Sequence, residues 1–383
     1  MIRKLGFIIV LISFGSYAQT ALYNAGNLRI HDQGNIGFHT NLINNGVFDE
    51  NLGLAGFYSN VPLEVSGALT PVLFDVEIAA DGGVLLSTSV DVQNNTNFIT
   101  GDFRTNRAQP ENFYEFLQDA FYVGESNISK IDGYASMSGQ QTFTFPVGDD
   151  QYLRPLILNS EGPNQITKCA YFFEDPNSPS AFPPFNTQIK ARSVEAVSNV
   201  EFWRLEGSIP SKVTLNWDNR SNLLAIAQDV GNVLVMGWNK IARQWIPLGN
   251  SAMGGDLING FITTETFVPD DFEVLTFGST AIAVEMLTLD NYFISPNGDG
   301  INDSLIIPEL EQSPNNSLEI YDREGQKVFE MINYRDEFTG FSNVDNFVIK
   351  QPIGLPEGFY YYIISMDDLG LNFQGFLFID RKL

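Results

Sequence analysis

Apolar and polar positions alternate in short runs along most of the chain, and asparagine and glycine separate the runs. Phe74-Asp75-Val76-Glu77-Ile78 is one such run, followed by Val84 to Val92 and by Phe98 to Thr105. A period of two marks half-buried strands rather than helices. Between residues 19 and 149 the corners also repeat. Asn24-Ala25-Gly26 returns twenty residues later as Asn44-Asn45-Gly46, each followed by apolar pairs or alternation (Leu28/Ile30, Val47/Phe48). This recurrence predicts stacked coils of a parallel β-helix, with asparagine side chains laddered at the corners. A β-meander of antiparallel hairpins uses the same turn residues and stands as the alternative.

Phe143 to Asp150 reads as a closing strand and turn, and the pattern changes after it. Strands lengthen across residues 150–280, and all four tryptophans (Trp203, Trp217, Trp238, Trp245) fall there. Val213, Leu215 and Trp217 alternate with Thr214 and Asn216; Val233 to Met236 and Phe272 to Phe277 read as more fully buried strands. Such strands with Gly/Pro/Asn turns predict a central β-sandwich. Trp217 is phased with the core, whereas Trp238 and Trp245 have polar flanks (Asn239, Lys240, Arg243, Gln244) that predict partial exposure, with a sugar-stacking platform as the functional alternative. Four prolines between Pro176 and Pro184 predict a long surface loop. Residues 281–287 read as a linker.

Composition supports an all-β fold: only 17% of residues are charged, while Gly (33), Phe (31) and Tyr (14) are abundant. At 44% hydrophobic, the 383 residues can build a sizeable core. The N-terminus reads as a signal peptide over residues 1–18: basic Met1 to Lys4, apolar Leu5 to Phe14, and Ser16-Tyr17-Ala18 before cleavage at Gln19. The apolar run is about half the ~20 residues of a membrane helix, so no transmembrane segment is expected in the mature chain. No cysteine follows the cleavage site, which excludes a lipid anchor there, and the lone Cys169 excludes an intrachain disulfide. With 46 acidic against 21 basic residues the net charge is −25, or −27 once Arg3 and Lys4 are removed. Such a surface repels phosphate backbones and anionic lipid, so nucleic acid is excluded as a partner.

The last 96 residues carry a distinctive set of motifs. Ser295-Pro296-Asn297-Gly298-Asp299-Gly300-Ile301-Asn302-Asp303 is followed by Ile320-Tyr321-Asp322-Arg323-Glu324-Gly325, by Leu355-Pro356-Glu357-Gly358-Phe359-Tyr360-Tyr361-Tyr362, and by Gly375 to Ile379. In this order they resemble the gliding motility-associated C-terminal domain, the type B sorting domain of type IX secretion cargo in Bacteroidota, over residues 288–383. The family usually has an aromatic where Glu324 stands and Trp-Asp-Gly where this chain has Phe338-Thr339-Gly340. The resemblance implies Sec export to the periplasm, passage through the type IX translocon, and a final place in the extracellular space or on the outer cell surface. It also implies a PorP/SprF-like outer-membrane protein as partner. The residues themselves predict an Ig-like β-sandwich with a hairpin about Arg323 to Gln326.

Candidate chemistry is sparse. Aligned on an EF-hand-type loop, Ser295, Asn297, Asp299, the Ile301 carbonyl and Asp303 fall at ligand positions, but the bidentate Glu is replaced by Ile306. Asn297, Asp299, Ile301 and Asp303 are thus a candidate weak calcium loop, and an Asx/Gly turn is the alternative reading. His31 and His39, eight apart, fit no helical ligand pair and read as surface residues. Cys169 reads as a buried thiol. No HExxH, Walker or G-x-S-x-G motif occurs in the mature chain. A polysaccharide lyase needs basic residues, yet residues 19–149 contain only Arg29, Arg104, Arg107 and Lys130. A hydrolase needs two carboxylates, for which Asp75, Glu77, Asp81, Asp91 and Asp102 are available.

These readings lead to a secreted or cell-surface structural or adhesive protein rather than an enzyme, associated with gliding or attachment and recognising a surface glycan or protein. A secreted carbohydrate-active enzyme on the same sorting domain is the alternative.

Overall fold

The computed structural model describes residues 20–191, 193–280, 291–344, 354–366 and 371–381. The expected leader (1–18) and linker (281–287) lie outside the described residues. The fold is all-β and divides into two compact units, one formed by residues up to 190 together with 196–279, the other C-terminal.

The first unit begins as a β-solenoid. The chain alternates between two parallel sheets, one running Ala21–Asn24, Asn41–Asn44, Leu63–Ser66, Val84–Leu86, Phe103–Thr105, Ile131–Asp132 and Val147–Gly148. The other runs Asn35–Phe38, Leu54–Ser59, Val72–Ala80, Val90–Thr100, Tyr114–Phe116 and Tyr134–Met137. Ala21 pairs with Asn41, Leu42 with Val65, Leu63 with Val84 and Val84 with Phe103. The coil length stays near twenty residues as far as Phe103, as the corner repeat predicts, and then departs from it, the chain taking a longer path from Phe103 to Ile131 and a shorter one from Ile131 to Val147. Stacking in register piles like residues into columns: Leu63, Val84, Phe103, Ile131 and Val147 in one sheet, Phe38, Phe57, Ile78 and Phe98 in the other. All are buried, and Phe38 and Phe57 stack at 5.0 Å. No single coil buries its apolar side alone, so the column is what stabilises each coil.

The corner asparagines satisfy backbone that the turns leave unpaired. Asn24 donates to Asn44 Oδ1 at 2.7 Å, Asn44 donates to the Leu69 carbonyl, and Asn51 bridges the Ile30 amide to the Val72 carbonyl. One corner demands glycine outright: Gly101 has φ +82°, and a Cβ there would lie 1.7 Å from the Ala80 carbonyl oxygen.

Residues 150–190 and 196–279 extend this unit and share its core. Tyr134–Met137 pairs antiparallel with Thr167–Phe172, and the same sheet continues through Phe202–Glu206, Phe272–Thr280, Val233–Asn239 and Gln244–Pro247. A separate antiparallel sheet runs Thr142–Phe145, Leu156–Ser160, Ser211–Trp217, Gly260–Thr263 and Ala252–Gly255. Solenoid residues such as Val65 and Phe103 share one buried cluster with Leu158, Trp203, Val213 and Phe277.

The alternation of Val213, Leu215 and Trp217 places all three inward. Trp238 and Trp245 correct the expectation of exposure, being 9% and 0% exposed. They meet edge to face at 5.6 Å, and the proline-rich loop folds over them, with Phe185 5.7 Å from Trp238 and its carbonyl accepting from Trp245 Nε1. Their polar neighbours were a poor guide because the cover comes from some sixty residues away in sequence. Cys169 is fully buried, and burial pushes its thiol well up.

In the C-terminal unit the described residues form one five-stranded sheet, in the order Tyr292–Ile294, Leu371–Ile379, Gly358–Met366, Asn316–Tyr321 and Lys327–Ile332. Among the described residues, loop segments cover its inner face. Leu305, Ile307, Leu310, Tyr334, Phe338 and Leu355 close over the inward side chains Leu318, Ile320, Tyr362, Ile364 and Leu377. Phe338, standing where the family usually has tryptophan, is fully buried and meets Phe329 edge to face at 4.8 Å.

Candidate functional site

Each motif of the C-terminal unit fixes one part of its shape. In the Ser295–Asp303 loop the polar side chains turn onto the loop's own backbone. Asp303 accepts from the amides of Gly298 and Gly300 at 2.7 Å, Asp299 accepts from the Ile301 amide, and Asn297 accepts from the Asp299 amide. Asn297 Nδ2 also donates to Asp299, and Ser295 Oγ donates to the Ile301 carbonyl that was a candidate calcium ligand. The Ile301 amide lowers the pKa of Asp299. This is the bonding of an Asx/Gly turn, and a cation would compete with backbone donors for the same oxygens. Replacing Asp303 by Ala is expected to loosen the loop equally with and without millimolar calcium. A thermal shift produced by calcium in the parent chain and lost in Asp303→Ala would assign the loop to the cation instead.

The hairpin at Asp322 to Gln326 is closed by Asp322, whose carboxylate accepts from the amides of Glu324 and Gln326, with Gly325 at φ +79°. The paired strands keep a bulge between Ile320 and Tyr321. Arg381 ties the two loop ends together, donating to the carbonyls of Leu355 (2.6 Å) and Gly340 (2.8 Å).

The outward face of the same sheet carries exposed aromatic side chains. Phe293 stacks on Phe378 (6.1 Å), Phe378 meets Phe359 (4.8 Å), and Phe376 meets Tyr361 (5.2 Å); Phe359 is 65% exposed. This face was hidden in the sequence because Phe359 to Tyr362 is aromatic on both parities, so alternation does not separate core from surface.

Each of the candidate acids Asp75, Glu77, Asp81 and Asp102 is engaged by a neighbouring side chain, and Asp81 and Asp102 border the same cleft. Asp75 accepts from Asn94, Glu77 from Tyr58 and Asn97, and Asp81 from Thr100, while Asp102 is ion-paired with the buried Lys130. His31 and His39 are both exposed, and His39 lies against Tyr58. No group of three or more His, Cys, Asp or Glu side chains among the described residues is arranged to hold a metal.

Asp91 is the exception in its electrostatics, because it pairs in register with Glu115 on the next strand. Burial first, and the Glu115 charge second, push its carboxyl up to about 7. An acid whose folded pKa exceeds its unfolded value binds more protons when folded, so stability falls as pH rises from about 4 to about 7. Asp91→Asn is therefore expected to melt higher than the parent at neutral pH, with the gap closing toward pH ~4. A gap that is independent of pH would remove Asp91 from the account.

A family model for the CHU_C type IX secretion signal domain matches residues 287–379. Neither a curated protein nor a solved structure matches the chain. The matched span covers the Ser295–Asp303 loop, the Asp322 hairpin and all five strands of the C-terminal sheet. Residues 287–379 of this chain are a type IX secretion signal domain, the C-terminal sorting domain of Bacteroidota cargo.

Proposed function

We propose that this chain is a type IX cargo whose residues 20–279 are the displayed part, a structural or adhesive element at the outer cell surface that serves attachment or gliding. The observation that carries the reading is the sorting domain at residues 287–379 behind a separate unit with one continuous core. A stacked solenoid offers a long, stiff, repetitive surface, which suits binding to another surface better than turnover of a small substrate. In this reading the leader directs Sec export, the sorting domain engages the type IX machinery, and a PorP/SprF-like outer-membrane protein receives or retains the cargo. No helix among the described residues is long and apolar enough to cross a membrane.

The rival reading, a polysaccharide hydrolase, draws on Asp91 and Glu115 as a carboxyl pair with one raised pKa. Glu115 is only 9% exposed, and Phe113 and Pro110 of the loop before it reach Lys168 two strands along the sheet, so access to substrate is poor.

The test is a strain expressing the leader joined to residues 288–383. Export of this shortened chain should persist while attachment to surfaces falls. Unchanged attachment to every surface tried would count against the adhesive role, and depolymerisation of a polysaccharide by the full chain, lost in Glu115→Gln, would favour the hydrolase.

A further inference from the structure

Three successive solenoid corners stack beside one another before entering the seven-stranded sheet: Asp81 to Gly83, Gly101-Asp102, and Asn127 to Lys130. Adjacent strands lie about 4.8 Å apart, close to the length of one hexose unit. The turn Asp149 to Tyr152 closes the end of this row, and together they border a cleft of about 550 Å³. Its size is that of a small-ligand site.

Hydrogen bonds within and between the corners hold the frame of the cleft. Gly101 donates to the Ile128 carbonyl, Ser129 donates to the Gly101 carbonyl, and Lys130 Nζ is held by both oxygens of Asp102 and by the Asn127 carbonyl. Asn127 Oδ1 accepts from the Leu153 amide, and Asp149 accepts from the amides of Gln151 and Tyr152. Arg220, ion-paired with Asp149, stacks 4.5 Å from the Tyr152 ring and braces it as a wall. Around this frame the carboxylates of Asp81 and Asp150 and the amides of Asn127 and Gln151 are exposed. Arg104, also on the lining, has a buried Nε without a hydrogen-bond partner.

We infer that this cleft binds a neutral oligosaccharide, lying along the stacked corners with one ring against Tyr152. Sugar hydroxyls both donate and accept, and a fixed mixture of carboxylate, amide and guanidinium groups satisfies them as a set. The apolar face of a pyranose suits an aromatic wall. Three aspartates line the cleft against one lining cation, Arg104, which faces Asp132, so an anionic uronate chain is disfavoured. The inference deepens the surface-binding reading above by naming a ligand class and a place for it.

The purified mature chain would be titrated calorimetrically with cellohexaose, laminarihexaose, mannohexaose and xylohexaose, with hexagalacturonate and a hexalysine peptide for contrast. Saturable binding to at least one neutral hexasaccharide is expected, weakened about tenfold or more by Asp81→Ala or by Gln151→Ala. Both side chains are exposed, so these variants should melt like the parent; Tyr152→Ala would probe the wall. Binding to none of the four, equal binding by parent and variants, or preference for hexagalacturonate or hexalysine would overturn the inference. Failure here with attachment still dependent on residues 20–279 would leave the adhesive reading standing; loss of that dependence with glycan binding intact would do the reverse.

Discussion

Replacing Glu201 by Ala is expected to destabilise the first unit by about 3–5 kcal/mol, the range for breaking one side of a buried ion pair. Arg154 and Glu201 are 4% and 0% exposed, and Arg154 Nη2 reaches the two carboxylate oxygens at 2.6 and 2.7 Å. The Tyr171 hydroxyl donates to the same carboxylate at 2.5 Å, Ser221 accepts from Arg154, and the guanidinium lies over the rings of Tyr171 and Trp203. Burial, followed by the negative charge of Glu201, pushes the Tyr171 hydroxyl up. Removing the carboxylate leaves a guanidinium in the interior with Asp218 as its remaining ion-pair partner, itself partly exposed. The check is denaturant unfolding followed by tryptophan fluorescence, since Trp203 lies against the network. Glu265→Ala, at a largely exposed pair with Lys212, should cost under about 1 kcal/mol. Arg154→Met combined with Glu201→Leu should recover much of the loss, because two apolar side chains leave no buried charge behind. A Glu201→Ala effect no larger than that of Glu265→Ala would show that the network contributes little.

The same region shows where sequence reading stops. The solenoid was legible because its information is local: Asn24 and Asn44 mark equivalent corners, and the columns follow once the period is known. The union of solenoid and antiparallel strands was not legible, because it depends on Met137 finding Thr167 as its partner. Nothing in either segment's alternation names that partner. Arg154 and Glu201 are 47 residues apart and look like ordinary charged positions until the fold closes over both.

For the sites the contrast is sharper. The sorting domain was legible as a family because its motifs are turn-forming residues whose roles are local, such as Asp303 accepting from Gly298 and Gly300, although its exposed aromatic face was not. The polar cleft was illegible because Asp81, Asn127 and Gln151 come from separate coils and converge only through stacking. The loop at Asn297 to Asp303 shows the converse limit: spacing alone suits a cation or a turn, and the calcium response of the parent chain and of Asp303→Ala is what separates them.

The largest effect expected anywhere in the chain is on location. The two units have separate buried clusters, so removing residues 288–383 takes away the second cluster while the residues of the first remain in place. A chain truncated before Thr288 should therefore still fold its first unit, still be cleaved after Ala18, and stop in the periplasm. In the proposed reading the sorting step engages the folded sheet, and an unfolded tail would not present the Asp322 hairpin or the Arg381 clasp in register. Phe338→Ala should mimic the truncation in part, since loss of a buried aromatic costs about 3–5 kcal/mol and this small unit has few stabilising contacts to spare.

The most direct measurement is the distribution of the truncated chain among periplasm, cell surface and medium, read by fractionation and by protease accessibility on intact cells. The account predicts that the full chain is outside and protease-accessible, while the truncated chain is soluble in the periplasm and protected. A truncated chain that reaches the surface or the medium as efficiently as the full one would contradict the assignment of residues 287–379 as the secretion signal.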